Sequence, residues 1–443
     1  MFSDGVIVAP ATALGGAIAV IRVSGEGSIG MCDNIFRGRK PLTEQPSHTI
    51  HYGNIVDENE HIIDDVVVAL FRAPHSYTGE ESVEISVHGS RYIVNTIIEL
   101  LCNNGARLAE PGEFSARAFA AGRIDLSQAE AVADIIAADS AAAHTIASTQ
   151  MRGGYSDTLN SLRDRLIELT ALLELELDFG EEDVEFADRS RLSNILVQSM
   201  TVVESLKDSF RIGNAIRNGV NVAIVGAPNV GKSTLLNTLI GDDRAMVSDI
   251  AGTTRDTIEE SVTIDGIRFH FVDTAGIRAT DDALEQMGID RTLKAIGKAG
   301  IVINMAEPTT SFEDIRLSDN QSEIRVINKA DTTADRSATG AIYISARDKY
   351  GIDNLRTSLR NIVDTSAIYR GDAIVSNLRH YEALTAALKA LTAAYAALNN
   401  NISSELLAED IRVAINHIGE ITGGTISSDS VLHRIFSSFC IGK

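Results

Sequence analysis

Residues 226–233, Gly226-Ala227-Pro228-Asn229-Val230-Gly231-Lys232-Ser233, have the residue types and spacing of a phosphate-binding loop. Glycines let the backbone curl so that successive N–H groups face phosphate oxygens, and a helix starting at the loop adds a favourable dipole. In such a loop Lys232 reaches the outer phosphates, the Ser233 hydroxyl suits Mg²⁺, and Thr234 lies within reach of the same phosphates. The chemistry needs a strand before the loop and a helix after it. Asn221–Val225 reads as an apolar strand and Thr234–Leu239 as the opening of a helix.

Three more groups fall at the ends of expected strands. Asp273-Thr274-Ala275-Gly276 follows Ile267–Val272, where Asp273 suits an outer-shell Mg²⁺ contact and Gly276 a backbone N–H aimed at a γ-phosphate. Asn328-Lys329-Ala330-Asp331 follows Ile324–Ile327. A carboxylate such as that of Asp331 accepts from both N1–H and the 2-amino group of guanine, and adenine offers no such donor pair. Ser345-Ala346, after Ala341–Ile344, completes a wall for the base. The order of the four groups resembles the translation-factor-like GTPases, which implies a guanine nucleotide.

One catalytic part of the small Ras-like enzymes is missing. The position that would carry a water-orienting Gln is Ile277, so another group must orient water and another positive charge must stabilise the transition state. Arg255 is a candidate arginine finger or a surface contact. Glu285, in Asp281-Asp282-Ala283-Leu284-Glu285, is a candidate water-orienting carboxylate or ordinary helix surface.

The elements that must position these groups fall into three textures. Residues 1–117 mix short β-rich runs, such as Ile18–Val23 and His61–Phe71, with turns at Pro74, Gly79 and Gly89. From residue 118 the chain becomes Ala-rich and helical. Leu159, Leu162, Leu166, Leu169 and Leu173 recur on one helix face, as do Tyr381, Leu384, Leu388, Leu391, Tyr395 and Leu398. Two stripes either side of an α/β segment, 214–371, predict one helical bundle split in sequence, 118–213 and 372–443, with a doubly wound sheet inserted into it. Asp265-Gly266 marks a hairpin turn in that sheet.

The 443 residues, 44% hydrophobic and 23% charged, exclude a disordered or collagen-like chain and, at roughly 150 residues per domain, suggest about three domains. A net charge of −22 excludes non-specific coating of nucleic acid, so an RNA contact must use a local patch or a partner's surface. Arg37, Arg39 and Lys40 form one small basic cluster, read as a solvated loop or an RNA contact. Three distant cysteines, Cys32, Cys102 and Cys440, predict neither a disulfide scaffold nor a zinc site. The apolar stretch Val6–Val23 is broken by Pro10, Gly15, Gly16 and Arg22 and lacks a basic leader, so neither a membrane span nor a secretory signal is expected. The expectation is a cytoplasmic protein, or one inside an organelle without its transit peptide.

The chain ends in Phe439-Cys440-Ile441-Gly442-Lys443 and carries Ser76-Tyr77-Thr78-Gly79-Glu80, Pro111-Gly112-Glu113-Phe114 and Asp125-Leu126-Ser127-Gln128-Ala129-Glu130-Ala131. With these motifs, the tail the most telling, the whole chain resembles the MnmE (TrmE) family of tRNA modification GTPases. The resemblance implies an N-terminal α+β tetrahydrofolate-binding and dimerisation domain, a split helical bundle and an inserted Ras-like P-loop G domain. It implies a potassium ion against the phosphates, with Asn229 as side-chain ligand and the carbonyls of Ser248, Ile250 and Thr253 around it. Asp249, Ala251 and Gly252 complete that first switch segment, Thr254 joins Ser233 on Mg²⁺, and Glu285 orients water. Folate contacts are implied at Arg22, Glu84, Arg123 and Lys443, and the folate would be a 5-formyl or 5,10-methylene derivative. Cys440 is left with three readings: a lipid anchor that Gly442 and Lys443 fit poorly, a buried structural thiol, or a functional thiol near the folate. The implied partners are a second copy, tRNA, and the flavin protein MnmG (GidA) in a heterotetramer, with FAD only on that partner. The implied activity is modification of C5 of the wobble uridine. The rivals are a ribosome-assembly GTPase and a small-molecule folate enzyme carrying a regulatory GTPase.

Overall fold

The computed structural model describes residues 5–178, 189–244, 260–273, 296–297, 299–318, 321–333, 340–363, 370, 372–400, 402–425, 429–437 and 439–442. The chain divides into two compact units: 1–136, 150–195 and 389–443 form one, and 137–149 with 196–388 form the other.

In the first unit, apolar runs and alternating apolar and polar residues build β1 (Ile7–Pro10), β2 (Ile18–Ser24), β3 (Phe36–Gly38), β4 (Thr49–Val56), β5 (Ile62–Phe71), β6 (Ser82–His88) and β7 (Arg107–Leu108). They form one sheet in the order β3-β4-β5-β6-β2-β1-β7. The alternation leaves Ile21, Val23, Val68, Leu70 and Ile85 on the core face. There they join a core with Ile29 of α1 (Ser28–Ile35) and Val94, Ile97 and Leu101 of α2 (Arg91–Asn103). The opposite face carries Arg22 directly across from Glu84, and Tyr52 across from Val67.

The chain then turns helical through α3 (Glu113–Ala120), α4 (Leu126–Ala137), α5 (Ala141–Met151), α6 (Ser156–Asp178) and α7 (Arg189–Asn218). The predicted stripe Leu159–Leu173 is buried along α6. That face packs against the helix Ser404–Thr422, an element the sequence reading did not single out.

The second unit holds β8 (Val220–Gly226), α8 (Lys232–Arg244), β9 (Glu260–Ile264), β10 (Ile267–Asp273), β11 (Ile301–Ala306), β12 (Ser322–Ile327), β13 (Ala341–Tyr343) and α9 (Ile352–Ile362). The sheet order is β13-β12-β11-β8-β10-β9, parallel except where β9 pairs antiparallel with β10. β11 is buried at every position, as expected of a strand covered on both faces. The turn at Asp265 and Gly266, with φ of 48° and 79°, matches the hairpin signal. α10 (Leu378–Asn399), α11 (Ser404–Thr422) and α12 (Asp429–Phe436) end the chain.

The expected divisions at 117/118 and 213/214 fall within α3 and α7, whose helices run on through the change in composition. α7 and α10 both contribute residues to each unit, so the helical part is not confined to one body.

Candidate functional site

The phosphate-binding loop is built at the C-terminal end of β8, on the edge where open α/β sheets bind ligands. Two close approaches hold its curl. A Cβ on Gly226, whose φ is 146°, would sit 2.3 Å from the Met305 carbonyl, and one on Gly231, at φ 100°, 2.3 Å from Asn328 Nδ2. Asn229 takes the left-handed conformation at φ 64° and is exposed. Lys232 Nζ donates to the carbonyls of Gly226 at 2.6 Å and Ala227 at 3.0 Å, which keeps its charge on the loop. Ser233 and Thr234 are exposed in the first turn of α8, and Val230 is buried beneath the loop.

The Ser345–Ala346 segment, expected to wall the base, is tied to this loop through one side chain. Asn328, 3% exposed, donates through Nδ2 to the Val230 carbonyl at 2.8 Å and accepts through Oδ1 from Ala346 N at 3.0 Å. It therefore fixes the Ser345–Ala346 turn against the phosphate loop. Thr238 adds a bond from α8 to the Ala346 carbonyl at 2.8 Å. Ser345 Oγ donates to Asp348 Oδ2 at 2.8 Å. Lys329 adopts a left-handed φ of 59°, and its ammonium pairs with Glu307. Asp331 is exposed in the short turn Ala330–Thr332, with its carboxylate accessible to a base.

Asp273 ends β10, as expected. Ser248, Asp249, Ile250, Ala251, Gly252, Thr253, Thr254, Arg255, Thr274, Ala275, Gly276, Glu285 and Lys443 lie outside the described residues. Among the described residues no group of three His, Cys, Asp or Glu side chains is arranged to hold a metal. The donors present suit other ions: a hydroxyl at Ser233 for Mg²⁺ beside phosphates, and an amide oxygen at Asn229 for a monovalent cation.

A second site lies in the first unit. Arg22 Nε donates to Glu84 Oε1 at 2.9 Å, Nη2 lies 2.8 Å from the same oxygen, and Nη1 donates to the Gly442 carbonyl at 3.1 Å across 420 residues of sequence. The Arg22 side chain is 16% exposed and that of Glu84 31%. The tail fits only as glycine at its turn, since a Cβ on Gly442, at φ 90°, would sit 2.3 Å from the Pro10 carbonyl. Gly112 N donates to the Cys440 carbonyl at 3.4 Å, and a Cβ on Gly112 would sit 2.3 Å from the Phe436 carbonyl. Cys440 is exposed, against the buried structural reading. Arg123 is exposed, with its stem packed over Gly79.

The motifs around this site form a charge network that residue type alone did not assign. Glu113 has no exposed side-chain surface, pairs with Arg107, and lies 3.1 Å from Arg117, which in turn lies 3.1 Å from Glu80. Burial alone would raise the Glu113 carboxyl, but the Arg107 hydrogen bond, the Glu110 N–H and both guanidinium charges hold it below its ordinary value. Tyr77 and Phe114, flagged only as parts of motifs, place their rings 5.7 Å and 5.6 Å from the Arg22 guanidinium. Arg37, of the small basic cluster, is paired with Glu60.

A family model described as GTP-binding protein TrmE N-terminus matches residues 6–123, and one described as MnmE helical domain matches residues 126–440. The chain is 47% identical to the tRNA modification GTPase MnmE of Bacteroides thetaiotaomicron over 99% of both chains. It is 46% identical to that of Flavobacterium johnsoniae over 100% of both. Among solved structures, a variant of Aquifex aeolicus Era bound to GDP·AlF4⁻ matches 39% of this chain and 66% of its own at 28% identity and a TM-score of 0.24, an overlap too slight to bear on function.

The exposed Asp331 carboxylate gives a direct test of base recognition. Asp331→Asn loses one charged acceptor and is expected to weaken GTP binding about 10- to 100-fold while xanthosine triphosphate binds better. Competition with a fluorescent guanine nucleotide measures both, and unchanged GTP affinity removes the assignment.

Proposed function

The chain belongs to the MnmE (TrmE) family of tRNA modification GTPases, and from that membership we infer a GTP hydrolase that, with a flavin-binding partner, modifies C5 of the wobble uridine of certain tRNAs. The observation that carries the reading furthest is the seating of the C-terminal segment on Arg22, through the Gly442 carbonyl, while the same guanidinium holds Glu84. A GTPase used only as a binding switch has no need of such a second site.

The phosphate loop and Lys232 bind the nucleotide's phosphates, and Asp331 selects guanine. Ser233 with Thr254 would hold Mg²⁺. Asn229, with the carbonyls of Ser248, Ile250 and Thr253, would hold K⁺, which supplies the positive charge that an arginine finger supplies elsewhere. Glu285 orients the attacking water. Hydrolysis releases the switch segments and so changes the arrangement of the complex.

In the first unit Glu84 accepts from the amino-pyrimidinone edge of a reduced folate, with Arg22 fixing the carboxylate. Arg123 and Lys443 provide the remaining cations, and Cys440 stands beside the site as a functional thiol. Folate, when bound, supplies the one-carbon unit, and glycine or ammonia supplies the aminomethyl nitrogen. Redox chemistry belongs to FAD on the MnmG (GidA) partner. The net charge of −22 suits a division of labour in which that partner contributes much of the tRNA surface.

A homodimer fits the free face of the N-terminal sheet, where Ile50 and Tyr52 are 72% and 69% exposed beside Val67. No helix among the described residues is long and apolar enough to cross a membrane, which suits work on tRNA in the cytoplasm.

Two measurements test the reading. Titration with 5-formyltetrahydrofolate by calorimetry should saturate, and Glu84→Gln should weaken it about tenfold or more, since a hydrogen bond to a charged group is lost. Absence of heat with the unaltered chain overturns the folate assignment. GTP hydrolysis should run at least about tenfold faster in K⁺ than in Na⁺ at equal ionic strength, and Asn229→Ala should erase the difference. Equal rates in the two salts remove the potassium mechanism.

A further inference from the structure

The Arg22 guanidinium is held by more than its hydrogen bonds. Both its Nε and Nη2 engage Oε1 of Glu84, and no hydrogen bond to Oε2 is present among the described residues. That division matters only if the guanidinium is kept from rotating, because a turned Arg22 would cover both carboxylate oxygens. Two aromatic rings stand within cation–π range of it.

The rings differ in how they are built in. Phe114 has no exposed surface and belongs to a small core with Ile7, Ala9 and Ala109, so it is a fixed wall. Tyr77 is 36% exposed, so one side of its ring reaches solvent. Its neighbours in sequence are the reverse: Ser76 is 7% exposed and Thr78 0%. Ser76 Oγ donates to the Glu80 carbonyl at 2.5 Å, and Thr78 Oγ1 shares a hydrogen with Ser24 Oγ at 2.7 Å. The backbone on both sides of Tyr77 is therefore pinned, and only its side chain projects. The phenol is fixed as well, 2.8 Å from Ser115 Oγ. Ser115 follows Phe114 on α3, so one helix supplies the first ring and anchors the second.

We propose that Tyr77 is a positioning residue for the folate site, its ring holding the Arg22 guanidinium on one oxygen of Glu84 so that the other remains available to the ligand. The inference rests on the reading of Arg22 and Glu84 as folate residues. Its contact with ligand is indirect. The ring does the holding and the hydroxyl only steadies the ring, so phenylalanine at this position retains most of the effect and an aliphatic residue does not.

Calorimetric titration of the full chain with 5-formyltetrahydrofolate separates the possibilities. Tyr77→Leu should weaken binding about 3- to 30-fold, the range of a partly desolvated cation–π contact. Tyr77→Phe should stay within about fivefold of the unaltered chain, since one neutral hydrogen bond is lost. GTP hydrolysis, a property of the other unit, should not change in either variant. In an Arg22→Gln background, Tyr77→Leu should add less than about twofold, because the cation it acts through is gone. Unaltered affinity in Tyr77→Leu overturns the proposal, and so does an undiminished loss in the Arg22→Gln background, which would make Tyr77 a direct ligand contact. If the unaltered chain takes up no folate, the functional reading fails instead. The Tyr77–Arg22 contact is then judged by a double-mutant cycle in urea unfolding, where additive shifts overturn it and coupled shifts sustain it.

Discussion

A guanidinium near one end of the chain holds a carbonyl near the other. Arg22 reaches Gly442 across 420 residues while gripping Glu84 on the neighbouring strand. Much of the first unit serves that contact. Antiparallel pairing of β2 with β6 puts Arg22 opposite Glu84, and a one-residue slip of either strand would turn its member of the pair to the core face. Glycine at 442 lets the tail lie against Pro10, and glycine at 112 lets the Pro111–Phe114 segment lie against Phe436, at distances no side chain permits. The buried Glu113, bracketed by Arg107 and Arg117, ties the Pro111–Phe114 and Ser76–Glu80 segments together beneath the same site. A buried carboxylate is tolerable there only because two cations and a backbone N–H satisfy it. Acid that protonates it removes stability the folded state holds at neutral pH, since its carboxyl titrates below the ordinary value when folded.

The nucleotide unit solves a different problem with a similar device. A phosphate loop must be curled before any phosphate arrives, and a base wall must stand at a set distance from it. Asn328 meets both needs with one amide, donating to the loop and accepting from the Ala346 turn. Being buried, it cannot trade these bonds for water without loss. The residue acts as a strut in the fold. Asp331, three positions on, is left exposed.

Local patterns carried most of this information. Alternation and helical spacing located β2, β5, β8, the hairpin around Asp265 and the buried face of α6. The phosphate loop and the Asn328–Asp331 segment were legible because their chemistry is set by neighbours in sequence. The second site was legible only through resemblance. Nothing local to Arg22 signals Glu84 or Gly442, because the pairing depends on strand order and on a tail that returns from the far end of the chain. Tyr77 and Phe114 were hidden for the same reason: a ring within a motif does not reveal which cation it faces. The divisions read at 117/118 and 213/214 follow composition, which changes while the hydrogen-bonded ladders of α3 and α7 continue.

The proposed GTP-run cycle delivers one-carbon chemistry to an anticodon base, and that chemistry leaves a mass. Unmodified tRNA incubated with this chain, its flavin partner, GTP, reduced folate and an amine donor, then digested to nucleosides, should show aminomethyl-type additions at wobble uridine by mass spectrometry. Omitting folate, or omitting GTP, should leave that uridine unmodified. Equal modification without folate would contradict the account directly.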